Sequence, residues 1–223
     1  KIILFSICYT LTCIQEKFNN FRHNDLKPNN ILIKNFLDIV NFDELIVIPN
    51  GNPPHKEKRT NAKDKLEMTE LALKHIKNLK IDNREIKKDT SSYAYSTLQE
   101  LQEENSTDTL VWIMGTDSFM NIESWYCYEE FINSVNFLVL ERPGHSIRQE
   151  SVAGTLLKSR KISSFKEFSD NKGKIFLLKI NPIKITSTHI RTMISKDQDV
   201  TSLLHPSVYK YIKLNKLYKN IHG

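Results

Sequence analysis

The stretch TLVWIMG, residues 109–115, is apolar from its second residue to the closing glycine, with no polar residue between. An unbroken apolar run of this length is typical of a strand that is covered on both faces of a parallel sheet. Several similar runs occur along the chain, and the strand candidates are KIILF (1–5), ELIVIPN (44–50), VNFLVLE (135–141) and KIFLLKI (174–180). The sequence therefore predicts a mostly parallel sheet.

Amphipathic stretches lie between these strands. Apolar residues recur on one helical face over 61–79, and shorter helices are predicted over 94–104 and 206–216. Strands that alternate with helices predict an α/β protein with a Rossmann-like, doubly wound sheet, which binds ligands at the carboxyl ends of its strands. The Gly, Pro and Asn residues at 50–54 and 142–146 follow strands, where ligand loops are expected.

Composition narrows the class of protein further. The 223 residues, 39% hydrophobic and 26% charged, fit one medium globular unit, and no run of about 18 apolar residues predicts a membrane span. Three cysteines without metal-ligand spacing favour a reducing cytoplasm. The net charge of +6 suits a partner that carries phosphate, although a lysine-rich solvated surface explains it as well. Because the basic residues are scattered, no nucleic-acid partner is predicted.

The stretch HNDLKPNN (23–30) resembles the catalytic loop of a protein kinase. Asp25 stands at the position of the catalytic base, and Asn30 at that of the metal ligand. A kinase also needs a D-F-G turn, and NFDEL (41–45) lacks its glycine and its order. Since nothing later continues this resemblance, a kinase is excluded. The sequence predicts an atypical N-terminal segment over 1–37 and an α/β domain over 38–223, together one globular unit.

The stretch KITSTHIRTMI (184–194) predicts a phosphate site. Ser187 and Thr188 are favourable helix N-caps, and Arg191 follows on the same helical face. Free backbone N–H groups, two hydroxyls and a guanidinium would then converge on one anion. An ordinary capped helix with a surface arginine is the alternative interpretation.

Fragments in a fixed order connect these features to a known family. They resemble bacterial nicotinate mononucleotide adenylyltransferase, of the nucleotidyltransferase superfamily, over about residues 38–219. The fragments are IPNGNPPHK (48–56), SSYAYSTL (91–98), IMGTDSFMNIESWYCYEE (113–130), LERPGH (140–145), ITSTHIR (185–191) and HPSVYKYIKLNKLY (205–218).

The resemblance implies a nucleotidyltransferase fold and an enzyme of NAD biosynthesis. Such an enzyme transfers AMP from ATP to nicotinate mononucleotide and forms deamido-NAD and pyrophosphate. Its partners are these two substrates, Mg²⁺ arrives with ATP, and the protein itself supplies no metal ligand. The reaction is placed in the cytoplasm.

The resemblance also assigns site residues. ATP and its phosphates would contact His55, Lys56, Ser187, Thr188 and Arg191, of which Arg191 is also catalytic. The mononucleotide would contact Tyr93, Ala94, Thr97, Gly115, Asp117, Trp125, Tyr126 and Arg142. Trp125 would stack on the nicotinate ring, although an aromatic cluster of this kind is also typical of core packing. Arg142 is either structural or phosphate-facing.

The chain departs from the family after its first strand. There the family has G-x-F-x-P-x-H-x-G-H, whose histidines reach the ATP phosphates, whereas this chain continues SICYTLTCIQEKFNNFR. His23 is the one candidate for this catalytic role, and Asp25 nearby would repel a triphosphate. Three interpretations follow: an adenylyltransferase impaired at this motif, a non-catalytic nucleotide-binding protein, or a chimeric chain with a kinase-like N-terminal fragment.

Overall fold

The computed structural model describes residues 1–7, 42–51, 61–88, 92–141, 146–168, 172–179 and 187–219, without the side chains of 4–7 and 187–188. Within these ranges the chain forms a seven-stranded sheet and eight α-helices. The strands are β1 (Ile2–Ile7), β2 (Glu44–Ile48), β3 (Leu79–Ile81), β4 (Thr109–Gly115), β5 (Asn136–Glu141), β6 (Lys161–Ile162) and β7 (Ile175–Lys179). The helices are α1 (Ala62–Leu73), α2 (Arg84–Lys87), α3 (Ala94–Glu104), α4 (Thr116–Met120), α5 (Tyr128–Ser134), α6 (Val152–Arg160), α7 (Ser187–Ser195) and α8 (Pro206–Leu214).

The sheet has the strand order β3-β2-β1-β4-β5-β7-β6, and every neighbouring pair is parallel. The order reverses direction between β1 and β4, which makes this pair the switch point where doubly wound sheets bind ligands. β1 lies in the middle of the sheet, with Leu4 opposite Leu45 of β2 on one side and Val111 of β4 on the other.

Alternate residues of the central strands divide the core into two layers, one on each face of the sheet. In β4, Val111 and Ile113 pack in one layer, whereas Trp112 and Met114 pack in the other. The first layer is completed by α1, α7 and α8, and the second by α3, α4, α5 and α6. Since helices cover both faces, the central strands are buried along most of their length, as the apolar runs predicted.

The five predicted strands are present, and α3 has the predicted bounds. The helix predicted over 61–79 was too long: α1 ends at Leu73, and Asn78 adopts a left-handed conformation (φ 58°) just before β3 begins. The apolar residues after Leu73 therefore belong to a turn and a strand, and the left-handed Asn78 prevents the helix from continuing into β3. The last predicted helix ends at Leu214, two residues early.

Local signals fix several helix starts. The side chain of Asn61 accepts a hydrogen bond from the backbone N–H of Lys63 and so caps α1, while Pro206 occupies the first turn of α8. Among the helices that the structure describes, none has both the length and the hydrophobicity to cross a bilayer.

Candidate functional site

The carboxyl ends of the parallel strands form one edge of the sheet, and several predicted site residues lie there. β4 ends at Gly115, and α4 begins directly after it. α3 precedes β4 and α7 follows β7, so both helices start at this same edge. The predicted mononucleotide and phosphate positions on these elements are therefore brought to one side of the sheet.

The junction between β4 and α4 is held from the neighbouring strand. The hydroxyl of Thr116, which is fully buried, donates to the carbonyl oxygen of Leu140 in β5 at 2.9 Å. This bond fixes the ends of β4 and β5 relative to each other. Gly115 is buried immediately before the helix, and Asp117 lies half-buried in the first helical turn.

Three of the predicted residues are aromatic, and the structure places them in two environments. Tyr93 and Tyr126 are exposed, and their ring centroids are 4.7 Å apart, which joins the start of α3 to the segment that follows β4. Trp125 is half-buried and stacks on Phe131 at 5.6 Å between ring centroids. One face of the indole thus packs against the core, and the binding role predicted for Trp125 concerns the remainder of the ring.

The first turn of α3 carries two further predicted contacts. Ala94 is the first helical residue, and the side chain of the N-cap residue Tyr93 makes no capping hydrogen bond. Thr97, in contrast, is fully buried, and its hydroxyl donates to Oε1 of Glu85 at 2.9 Å. The Thr97 side chain therefore contacts the protein interior, and its predicted contact with the mononucleotide stays a prediction.

The predicted phosphate helix is present as α7, which starts at Ser187. Arg191 lies half-buried in its second turn, and Ile194 of the same helix is buried in the core. Packing of Ile194 fixes the helix on the sheet, so Arg191 has a defined position near the carboxyl edge.

Four predicted site residues, His23, His55, Lys56 and Arg142, lie outside the described residues, and their roles stay predictions. Where the structure describes the chain, no group of three or more His, Cys, Asp or Glu side chains is arranged to hold a metal ion.

The structure also reveals a polar cluster on α2 that the sequence analysis did not find. Glu85 is 1% exposed, and burial raises the pKa of its carboxyl group, against the opposing effects of the Thr97 hydroxyl and the Gly51 backbone N–H. Its neighbour Arg84 contacts Asp82 at 2.6 Å and Glu104 at 2.6 Å. Burial alone would raise the pKa of Asp82, but its hydrogen bonds with Arg84 outweigh this effect and hold the pKa below its ordinary value.

These features define a class of protein: a doubly wound α/β protein whose candidate site lies at the switch-point edge of a parallel sheet. The cytidylyltransferase-like family model matches residues 31–193 of the chain. A probable nicotinate-nucleotide adenylyltransferase of Pseudomonas entomophila (strain L48) is 30% identical over 192 residues, covering 84% of this chain and 88% of the relative. One of Clostridium botulinum (strain Okra / Type B1) is 33% identical over 188 residues, covering 82% and 88%. The chain belongs to the cytidylyltransferase-like family, in its nicotinate-nucleotide adenylyltransferase branch.

Solved structures agree with this fold. The Plasmodium falciparum nicotinic acid mononucleotide adenylyltransferase complexed with NaAD is similar with a TM-score of 0.65 at 17% identity, covering 98% of both chains. The same protein complexed with APC gives a TM-score of 0.63 at 16% identity, again covering 98% of both chains. The family, the fold class and the nucleotidyltransferase assignment predicted from the sequence are thereby confirmed.

Proposed function

We propose that this chain transfers the adenylyl group of ATP to nicotinate mononucleotide. The 5′-phosphate oxygen of the mononucleotide attacks the α-phosphorus of ATP, a new P–O–P bond forms, and the bond to the β-phosphate breaks to release pyrophosphate. The product is deamido-NAD. No covalent enzyme intermediate is needed, so the protein acts by aligning two anions and by neutralising charge on the transferred phosphorus.

One observation carries this proposal beyond family membership. The starts of α3 and α7 and the end of β4 meet the same edge of the sheet, and the 4.7 Å contact between Tyr93 and Tyr126 joins two of these segments. A flat heterocycle with a carboxylate fits beside exposed aromatic rings and the uncapped N–H groups of α3. An anionic phosphate fits beside Arg191 and the start of α7.

In this proposal each substrate has its own set of contacts. Tyr93, Ala94, Trp125 and Tyr126 bind the mononucleotide, and the half-buried carboxyl of Asp117 accepts hydrogen bonds from ribose hydroxyls. The other predicted mononucleotide contacts are Thr97, Gly115 and Arg142. Arg191, with Ser187 and Thr188, binds the ATP phosphates together with His23, His55 and Lys56.

Mg²⁺ enters as part of the ATP substrate and offsets the triphosphate charge. We place the reaction in the cytoplasm, in keeping with the free thiol of Cys127. Residues 1–37 and 38–223 act as one unit, a proposal supported by the central position of β1 in the sheet.

The test is release of pyrophosphate from Mg-ATP and nicotinate mononucleotide by the purified chain. We expect turnover in the wild type, and a decrease in kcat/KM on the order of 10²-fold for Arg191→Ala, because a charge-complementary donor is removed from a phosphoryl-transfer site. Lys196→Ala is the matched control, since Lys196 is an exposed cation just beyond the other end of α7. Equal losses in both variants would assign the effect to general surface charge.

Absence of turnover in the wild type would contradict the proposed reaction. Because the family histidine pattern is missing after β1, a non-catalytic nucleotide-binding protein is the second candidate. Calorimetric titration with nicotinate mononucleotide then distinguishes the outcomes: binding supports the second candidate, and no binding leaves a chimeric chain without either function.

A further inference from the structure

The carboxyl group of Glu85 is enclosed in the protein interior although α2 is only four residues long. Oε1 accepts the hydrogen bond from the Thr97 hydroxyl at 2.9 Å, and Oε2 is also enclosed, with no hydrogen-bond partner among the residues described. A carboxyl group is rarely buried in this way unless a specific contact requires it, because desolvation is unfavourable for its charged form.

The second contact is made by the backbone of Glu85, with Gly51 in the segment that follows β2. A Cβ atom at position 51 would lie 1.9 Å from the Glu85 carbonyl oxygen. The two backbones therefore touch only because residue 51 is a glycine. Gly51 itself is buried, so this contact is part of the interior and not a surface encounter.

The hydrogen bond between Thr97 and Glu85 connects Glu85 to the mononucleotide subsite. Thr97 lies in the first turn of α3, and its backbone N–H donates to the carbonyl oxygen of Tyr93 at 3.1 Å. Tyr93 and Ala94 are the residues to which the proposed function assigns the mononucleotide. Glu85 thus connects two parts of the protein: its carboxyl group holds the helix start that presents the mononucleotide contacts, and its backbone packs on Gly51 after β2, the strand next to β1.

The later turns of α3 are attached to α2 without that carboxyl group. On the outer side, Arg84 contacts Glu104 at 2.6 Å and Glu100 at 3.5 Å, and Lys88 pairs with Glu100 as well. These ion pairs already join the two helices. An apolar side chain at position 85 would fill the interior without the desolvation that a buried carboxyl group requires. We therefore attribute the presence of a carboxyl group at position 85 to its contact with the first turn of α3.

We propose that Glu85 is a positioning residue for the mononucleotide subsite, whose carboxyl group holds the first turn of α3 against α2 and so in register with Gly51 after β2. This inference rests on the proposed function. It does not make Glu85 a catalytic residue, because the group acts on substrate only through Thr97 and the backbone of Tyr93 and Ala94.

The kinetic test compares Glu85→Ala, Glu85→Gln and Thr97→Val. We expect Glu85→Ala to raise KM for nicotinate mononucleotide by roughly tenfold while kcat changes by less than about threefold, because a misplaced helix start weakens binding of that substrate. Thr97→Val should act in the same direction, since it removes the hydroxyl and keeps the volume. Glu85→Gln should restore KM to within about twofold of wild type, because an amide oxygen still accepts the Thr97 hydrogen bond.

The matched control is Glu104→Gln, which changes a carboxyl group of the same helix pair at an exposed position. We expect it to leave both constants unchanged. An unaltered KM in Glu85→Ala, or equal effects in Glu85→Ala and Glu104→Gln, would overturn the proposal. Should Glu85→Ala fail to fold, the other two variants decide: Thr97→Val should still raise KM, and Glu85→Gln should still keep KM near the wild-type value.

A second readout does not use activity and separates failure of this proposal from failure of the proposed reaction. Amide hydrogen exchange is followed at residues 94–98 and at Gly51. Loss of the bridge should accelerate exchange there in Glu85→Ala and Thr97→Val, with β4 still protected and with no change in Glu104→Gln. Unchanged exchange in the first two variants would refute the bridge, even for a chain that has no turnover.

Discussion

The buried carboxyl group of Glu85 makes the stability of the whole protein depend on pH. Burial raises its pKa in the folded state above the ordinary 4.5. In the unfolded chain the group loses its proton near that ordinary value, whereas the folded protein retains it to higher pH. Between these two pKa values the folded state binds more protons, so the free energy of unfolding falls as pH rises through this window, and the loss is complete above the folded-state pKa.

Glu85→Gln should remove this pH dependence. We expect the variant to gain stability relative to wild type as pH rises from about 4 towards 8, because its side chain has no charged form to desolvate. Urea unfolding at a series of pH values measures the difference. Glu104→Gln is the control, as it alters an exposed ion pair with Arg84. A difference between Glu85→Gln and wild type that stays constant with pH would contradict the account.

The residues that the sequence could predict are those within contiguous motifs. Tyr93 and Tyr126 were both assigned to the mononucleotide, and their rings lie 4.7 Å apart. Glu85 was missed because nothing in its own segment marks it. It is the one acidic residue of the basic stretch REIKK, and only its contacts with Thr97 and Gly51, far along the chain, distinguish it.

At the scale of elements, long apolar strands could be predicted and short ones could not. β4 is seven residues long and buried for six of them, so its apolar pattern stands out in the sequence. β3 and β6 have three and two residues and are partly exposed. Their strand conformation comes from pairing with β2 and β7, a tertiary effect that overrides weak local preference.

The contact between α8 and α1 gives a prediction at the same scale. The Tyr211 hydroxyl donates to the Asp64 carboxyl group at 2.8 Å, and this hydrogen bond raises the pKa of Tyr211 to about 12. Tyr211→Phe should lower the free energy of unfolding by about 0.5–1.5 kcal/mol, the usual contribution of one hydrogen bond. Chemical denaturation measures this loss. Tyr209→Phe, on the same helix, should have a smaller effect, and an equal loss in both variants would assign the effect to α8 packing in general.

For the whole molecule, the position of β1 determines how the chain unfolds. β1 pairs with both β2 and β4, so the segment predicted as atypical contributes a central strand to the sheet. Removing a central strand would expose the edges of both neighbours and both core layers. We therefore expect residues 1–37 and 38–223 to unfold in one cooperative transition, monitored by near-ultraviolet and far-ultraviolet circular dichroism together.

Nicotinate mononucleotide should shift that single transition as a unit. At a concentration about 100 times its dissociation constant, a ligand that binds only the folded state stabilises it by about 2.7 kcal/mol. For a domain of this size, that free energy corresponds to an increase of roughly 5–10 °C in Tm. Nicotinamide at the same concentration is the control, because it lacks the carboxylate, ribose and phosphate groups through which the mononucleotide would bind. Two separate transitions, of which the mononucleotide moves only one, would show instead that the N-terminal segment folds apart from the nucleotide-binding unit.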